Sequence, residues 1–389
     1  MNLSINNKII LLILGYFIIY LISSSYFYER HDPNLLATAY DSSRYVGLKN
    51  FFSGSVGKGL LDTSNSAWHL FFTYTLFITI LEKINLITHY VEVQYIIFYI
   101  SSFLFYKSLI NFNFSNMTSL MSVLFIICNP FIVFWIHTLN HAGLTISLFM
   151  ISFYFLSKYQ YGNIYKILFF IFIFLLLKVD GKVFFTSFML LFYNFYLSNK
   201  NKSTVNFVIL LSFFILYFFY LNKFAIGLEF FSASYLQSDI DNFAFIAPAL
   251  NDQTMITFNK CLITEYNSLT NHFCALIDNP IYSIKLYSAR LFVLLTWINA
   301  KLSFKYNFFA FGMMFFLYFG LLINLIKTEF TNFKFFLLFS YLITSMIILP
   351  YMVRGDQKFV FYGLIFIIPL SFSGYEILLK YIKNNMLNN

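Results

Sequence analysis

An all-α, polytopic integral membrane protein is the fold class this sequence predicts, and three observations carry that reading. The 389 residues are 60% hydrophobic and only 11% charged, with a mean hydropathy of +0.73; a soluble domain would have to expose much of that apolar surface. Apolar runs near the ~20 residues needed to cross a hydrocarbon core recur along the chain. Charges gather between those runs rather than within them, as expected where a charge beside hydrocarbon is costly.

The expected architecture is about 10 transmembrane helices in a single transmembrane domain, 1–389. Interfacial helices are expected in a first extracytoplasmic loop, 28–90, and in a long extracytoplasmic loop, 223–306. The spans read at 8–26, 91–109, 117–136, 142–157, 164–178, 183–198, 205–222, 307–326, 335–352 and 359–379. Tilt or local bilayer thinning accommodates the shorter ones. The run from Ile9 to Tyr26 shows no small-x-small cleavage site before a soluble domain, so it reads as a retained first span.

Orientation follows from the lysines. With the N-terminus inside, internal loops carry Lys107, Lys158 with Lys166, Lys200 with Lys202, Lys327 with Lys334, and Lys380 with Lys383. That is the positive-inside pattern. The acidic segment 223–288 then falls outside. Residues 67–83 begin with Ala67-Trp68-His69 and are short; crossing there would put Lys158, Lys166, Lys200 and Lys202 outside, so the segment reads as an amphipathic helix in the outer interface. Residues 281–300, with Lys285 and Arg290 at one end and Trp297 near the other, are assigned in the same way.

The formal charge of +9 comes from lysines scattered singly in short loops, not from a basic patch, so no nucleic-acid partner is expected. Three cysteines are too few for a disulfide framework. Cys128 sits inside a span, whereas Cys261 and Cys274 share one long loop where an oxidising compartment would permit a bridge. The 56 Phe and 30 Tyr are spread throughout and need no stacking ligand.

Four places carry possible chemistry. The loop 28–66 holds Glu29, Asp32, Asp41 and Asp62 beside Arg30, Arg44, Lys49 and Lys58. Asp41 is positioned to deprotonate an acceptor at the membrane surface, or to cap a surface helix running to about Phe52 and ending at Gly54; one carboxylate can do both. His137 and His141 are four apart, as two metal ligands on one helical face would be. No Glu intervenes and no third ligand is evident, so they read as polar groups lining an outer cavity, with no metal. Lys178 and Lys182 flank Asp180-Gly181, either as point charges for a phosphate or as a plain inter-span turn. Arg354 and Lys358 flank Asp356 in a turn before the last span, where the Arg354 guanidinium suits a phosphate and the alternative is a solvated loop.

In order along the chain, these features resemble the GT-C superfamily of polytopic glycosyltransferases, in the branch of lipid A aminoarabinose transferases and protein O-mannosyltransferases. The motif Asp41-Ser42-Ser43-Arg44-Tyr45 matches the acidic start of that branch's first outer loop. Asn65-Ser66-Ala67-Trp68, Asn129-Pro130 through Gly143, Lys178 to Lys182, Asn279-Pro280 through Arg290, and Gln357-Lys358-Phe359 through Pro369 follow in the family's order. The chain departs from the pattern in lacking an acid near His141 to Gly143, and in carrying Asp62 or Thr63 where a Lys is usual.

The resemblance implies transfer of a sugar from a polyprenyl-phosphate donor to a cell-envelope glycan such as lipopolysaccharide, a lipid or a protein. Asp41 would act as base or acceptor-orienting carboxylate. Arg44, Tyr45, His137, His141, Lys178, Lys182, Arg354 and Lys358 would line the donor and acceptor sites. It implies no cofactor, membrane lipids as surroundings, and a bacterial inner membrane with the site facing the periplasm or cell exterior. Three other classes compete. An O-antigen-type polymerase should concentrate Arg in its large outer loops, but 223–288 contains none. A flippase or transporter should place charges within its spans; an accessory membrane protein with a degenerate site is the non-catalytic alternative.

Overall fold

The computed structural model describes residues 66–137, 141–179, 183–198, Ser212, 280–298, 304–329, 331–351 and 357–387. Regular structure among them is helical throughout. Among the described residues, four helical stretches are long and apolar enough to cross a membrane: Ile87–Asn111, His141–Tyr161, Asn307–Lys327 and Phe361–Met386. Asn116–Cys128 and Asn163–Leu177 are apolar but shorter. The protein is therefore a membrane-embedded helical protein. The expected spans 8–26 and 205–222 lie outside the described residues.

The helices group into two compact units that meet in sequence at Val183–Phe184. The first contains α1 (Ser66–Lys83), α2 (Tyr90–Asn111), α3 (Asn116–Cys128), α4 (Pro130–His137), α5 (His141–Lys158) and α6 (Asn163–Leu177). Helices α2 and α5 run parallel. Ser102 Oγ meets Met150 Sδ at 3.8 Å, the Phe105 and Phe153 rings lie 5.5 Å apart, and Asn111 Nδ2 donates to Ser157 Oγ at 2.9 Å. After the short 3-10 turn Tyr159–Tyr161, α6 folds back along α5, with Tyr159 edge-on to Phe169.

What lets α2 and α5 pack closely is a set of small hydroxyl residues. Ser101, Ser102 and Ser108 on α2, and Thr145, Ser147 and Ser152 on α5, are all buried. Each donates to a carbonyl one turn back on its own helix, as Ser102 does to Phe98 O and Ser152 to Leu148 O. The hydroxyls are thus satisfied locally and behave as small packing residues. Lipid tails are as apolar as Leu, so close packing rather than the hydrophobic effect holds such helices together.

The expected single span 117–136 is instead two helices, α3 and α4. Pro130 brings no N–H and disfavours a helical conformation in the preceding residue, and Asn129 is extended at φ −74°, ψ 113°. Asn129 Oδ1 then accepts from Phe131 N at 3.0 Å, and its carbonyl accepts from Ile132 and Val133, starting α4 afresh.

The second unit contains α7 (Phe184–Ser198), α8 (Pro280–Thr296), α9 (Phe304–Lys327), α10 (Asn332–Tyr351) and α11 (Gln357–Leu387). Helices α9 and α11 run parallel and touch at glycines: a Cβ on Gly320 would lie 2.5 Å from Ser371 O, and one on Gly374 would collide with Gly320 O. Beside that crossing, Tyr375 stacks on Phe316 at 4.3 Å and its hydroxyl donates to Phe316 O at 2.8 Å. Antiparallel α10 joins α9 through the Tyr318 and Tyr341 hydroxyls, 2.6 Å apart, and joins α7 through the Tyr193–Phe336 stack. Phe304, Phe308, Phe311, Phe315, Leu322 and Ile326 form an exposed stripe at helical spacing on α9, the face a bilayer would cover.

Candidate functional site

The site is built at one end of the first unit. Because α2 and α5 are parallel and α6 runs against them, the start of α2, the start of α5 and the end of α6 all lie at that end. Gln94 Nε2, in the first turns of α2, donates to Ile136 O near the end of α4 at 3.1 Å. Gly143, in the first turn of α5, lets Ile136 approach; a Cβ there would sit 3.1 Å from Ile136 Cα. The last turn of α4 is thereby held against the first turns of α2 and α5.

Helix α1 closes this end. The Thr73 N–H donates to Lys178 O at 3.0 Å and the Thr73 hydroxyl to Leu175 O at 2.8 Å, fixing α1 to the C-terminal end of α6. The neighbouring Tyr74 is buried, with its ring edge-on to His141 at 6.4 Å. At its C-terminal end α1 passes through Asn85, at φ 56°, and the 3-10 turn Ile87–His89 into the start of α2. The middle of α1, at Thr73 and Tyr74, and its C-terminal end are thus both held at this end of the α2–α5–α6 layer.

His141 and Lys178, both singled out from sequence, are thus linked through consecutive residues of α1. His141 is only 3% exposed and packs beneath Tyr74. Lys178 is half-buried in the turn after α6, and burial pulls its ammonium below the usual lysine range. Such a group is a compact cation in a partly dehydrated setting, where attraction to an anion is stronger than in water.

The remaining site residues are not brought into this picture. Asp41, Arg44, Tyr45, Lys182 and Arg354 lie outside the described residues, as do Cys261 and Cys274. His137 ends α4 and Lys358 lies in the first turn of α11, but their side chains are outside the described residues. Among the described residues no group of three or more His, Cys, Asp or Glu is arranged to hold a metal ion. Thr73, Tyr74 and Gln94 were not singled out from sequence. Their signal was weak: two threonines flank a tyrosine in Thr73-Tyr74-Thr75, within an otherwise apolar run.

The class defined here is a helical membrane protein with a polar cluster at one end of its first helical unit. Neither a protein-family model, nor a curated protein, nor a solved structure matches the chain.

Proposed function

We propose that the chain is a GT-C-type glycosyltransferase, moving a sugar from a polyprenyl-phosphate donor to a cell-envelope glycan, lipid or protein on the extracytoplasmic face. The observation that carries this reading is the Thr73–Lys178 tie beside Tyr74 and His141. It fixes the Lys178 backbone immediately after the apolar helix α6, and in this reading the Lys178 ammonium serves as the point charge for a lipid-borne phosphate. The motif Asp41-Ser42-Ser43-Arg44-Tyr45 in the preceding loop supplies the base.

In this mechanism Asp41 takes the proton from an acceptor hydroxyl or amine as that atom attacks the anomeric carbon. The bond from that carbon to the phosphate oxygen breaks, and polyprenyl phosphate leaves with the electron pair. Configuration inverts. Lys178, Lys182 or Arg354 stabilises the negative charge gathering on the leaving phosphate.

Asp41→Asn, assayed in membranes with a radiolabelled polyprenyl-phosphate sugar, tests the reading. Transfer should fall by ~10²-fold or more, as for loss of a general base. Wild-type turnover at normal expression would remove Asp41 from the mechanism.

A further inference from the structure

The opposite end of the first unit carries a different chemistry. Helix α5 has 18 residues, or about 27 Å at the α-helical rise, close to the ~30 Å of a hydrocarbon core. With His141 at one interface, Lys158 reaches the other. There Lys158 Nζ sits 4.4 Å from the centre of the Tyr161 ring, and Lys166 Nζ 5.7 Å from that of Tyr159. The Asn111–Ser157 hydrogen bond brings the last turn of α2 alongside, and one turn earlier Lys107 lies 5.4 Å from the Phe103 ring. Tyr161 is 72% exposed.

Two further facts give this end its sign. The sequence contains no Asp or Glu between Glu92 and Asp180, so no carboxylate from α3 to α6 neutralises these lysines. The N-termini of α3, capped by Ser115, and of α6 open at this same end and add positive partial charge. A ring holds each lysine stem at the interface while the ammonium keeps donors for an anion.

We propose that Lys107, Lys158 and Lys166, framed by Tyr159 and Tyr161, form a docking surface for anionic phospholipid headgroups. The phosphodiester oxygens accept from the ammonium groups, and the tyrosines seat at headgroup depth as interfacial aromatics do. The surface is independent of sugar transfer, because it lies at the other end of the unit from Lys178.

The test uses the full chain reconstituted in bilayers, with spin-labelled phosphatidylglycerol or spin-labelled phosphatidylcholine as probes of the lipid in contact with protein. The wild type should retain phosphatidylglycerol preferentially. K107Q/K158Q/K166Q should lose about fivefold or more of that preference, given what each basic residue contributes at a membrane surface. The triple arginine variant should keep it, and added salt should erode it in the wild type. If the glutamine variant does not fold, the wild-type salt response and the arginine variant decide. A preference that survives the glutamine substitutions or high salt would overturn the proposal. So would a loss of the preference on adding inorganic phosphate that exceeds the loss in sodium chloride of equal ionic strength, because the site would then take free phosphate rather than lipid.

Discussion

At the scale of single residues, Lys178 makes the sharpest statement about pH. Burial lowers its folded-state pKa, so between the folded and unfolded values the unfolded chain holds the extra proton. Stability should therefore rise with pH across that window, which lies below the ordinary lysine range. A phosphate contact runs the other way, since it needs the ammonium and weakens as pH climbs through the lowered pKa. Lys178→Met should flatten the rise in Tm at alkaline pH, and Lys178→Arg should move the loss of donor binding to higher pH. Thermal scans and donor-binding titrations over the same pH series check both. A second residue-scale test concerns the partly buried Tyr318–Tyr341 pair. Tyr341→Phe strands the Tyr318 hydroxyl and should cost about 1–3 kcal/mol, Tyr318→Phe should cost less because the Tyr341 hydroxyl also bonds Ser345, and the double change should cost less than the two singles summed. A double-mutant unfolding cycle in detergent reads the difference.

At the scale of elements, hydropathy located helices well where an apolar run ends in polar residues. The expected 142–157 and 164–178 became His141–Lys158 and Asn163–Leu177, within one residue at each end. It under-read α11, expected to end at 379 but continuing to Leu387. Past the apolar stretch the helix carries Lys380, which pairs with Glu376 at 2.8 Å, and a helix in water needs no hydropathy to continue. The division of 117–136 was legible in Asn129-Pro130 itself, because its cause is local backbone chemistry. The α9–α11 crossing was not legible, because Gly320 and Gly374 are 54 positions apart and only packing brings them together. Gly374→Leu should force these helices apart, at a cost of about 1–3 kcal/mol or more for overpacking. Gly312→Leu, a site with open space around it, is the control expected to stay near wild type. Unfolding midpoints of the two variants in the same detergent separate the outcomes.

At the scale of the whole molecule, what the sequence pattern disclosed was class and charge distribution; contacts lay beyond it. His141 and Lys178 are linked through α1, whose Thr73 and Tyr74 look ordinary in the sequence and matter because one bonds the Lys178 carbonyl and the other packs on His141. Charge distribution nonetheless makes a firm claim about orientation. His89, at the α1–α2 turn, lies at the His141 end, and Tyr161 lies at the Lys158 end. Both side chains are exposed. With Cys128, Cys261 and Cys274 changed to Ser, His89→Cys and Tyr161→Cys place one thiol at each end. If the lysine-bearing end faces the cytoplasm, a membrane-impermeant maleimide added to intact cells should label His89→Cys and spare Tyr161→Cys until the membrane is opened. The reverse pattern would invert the orientation and move Lys178 away from any extracytoplasmic donor. Labelling of both thiols in intact cells would mean that α2 and α5 do not separate two compartments, and the length argument for Lys158 at an opposite interface would fail with it.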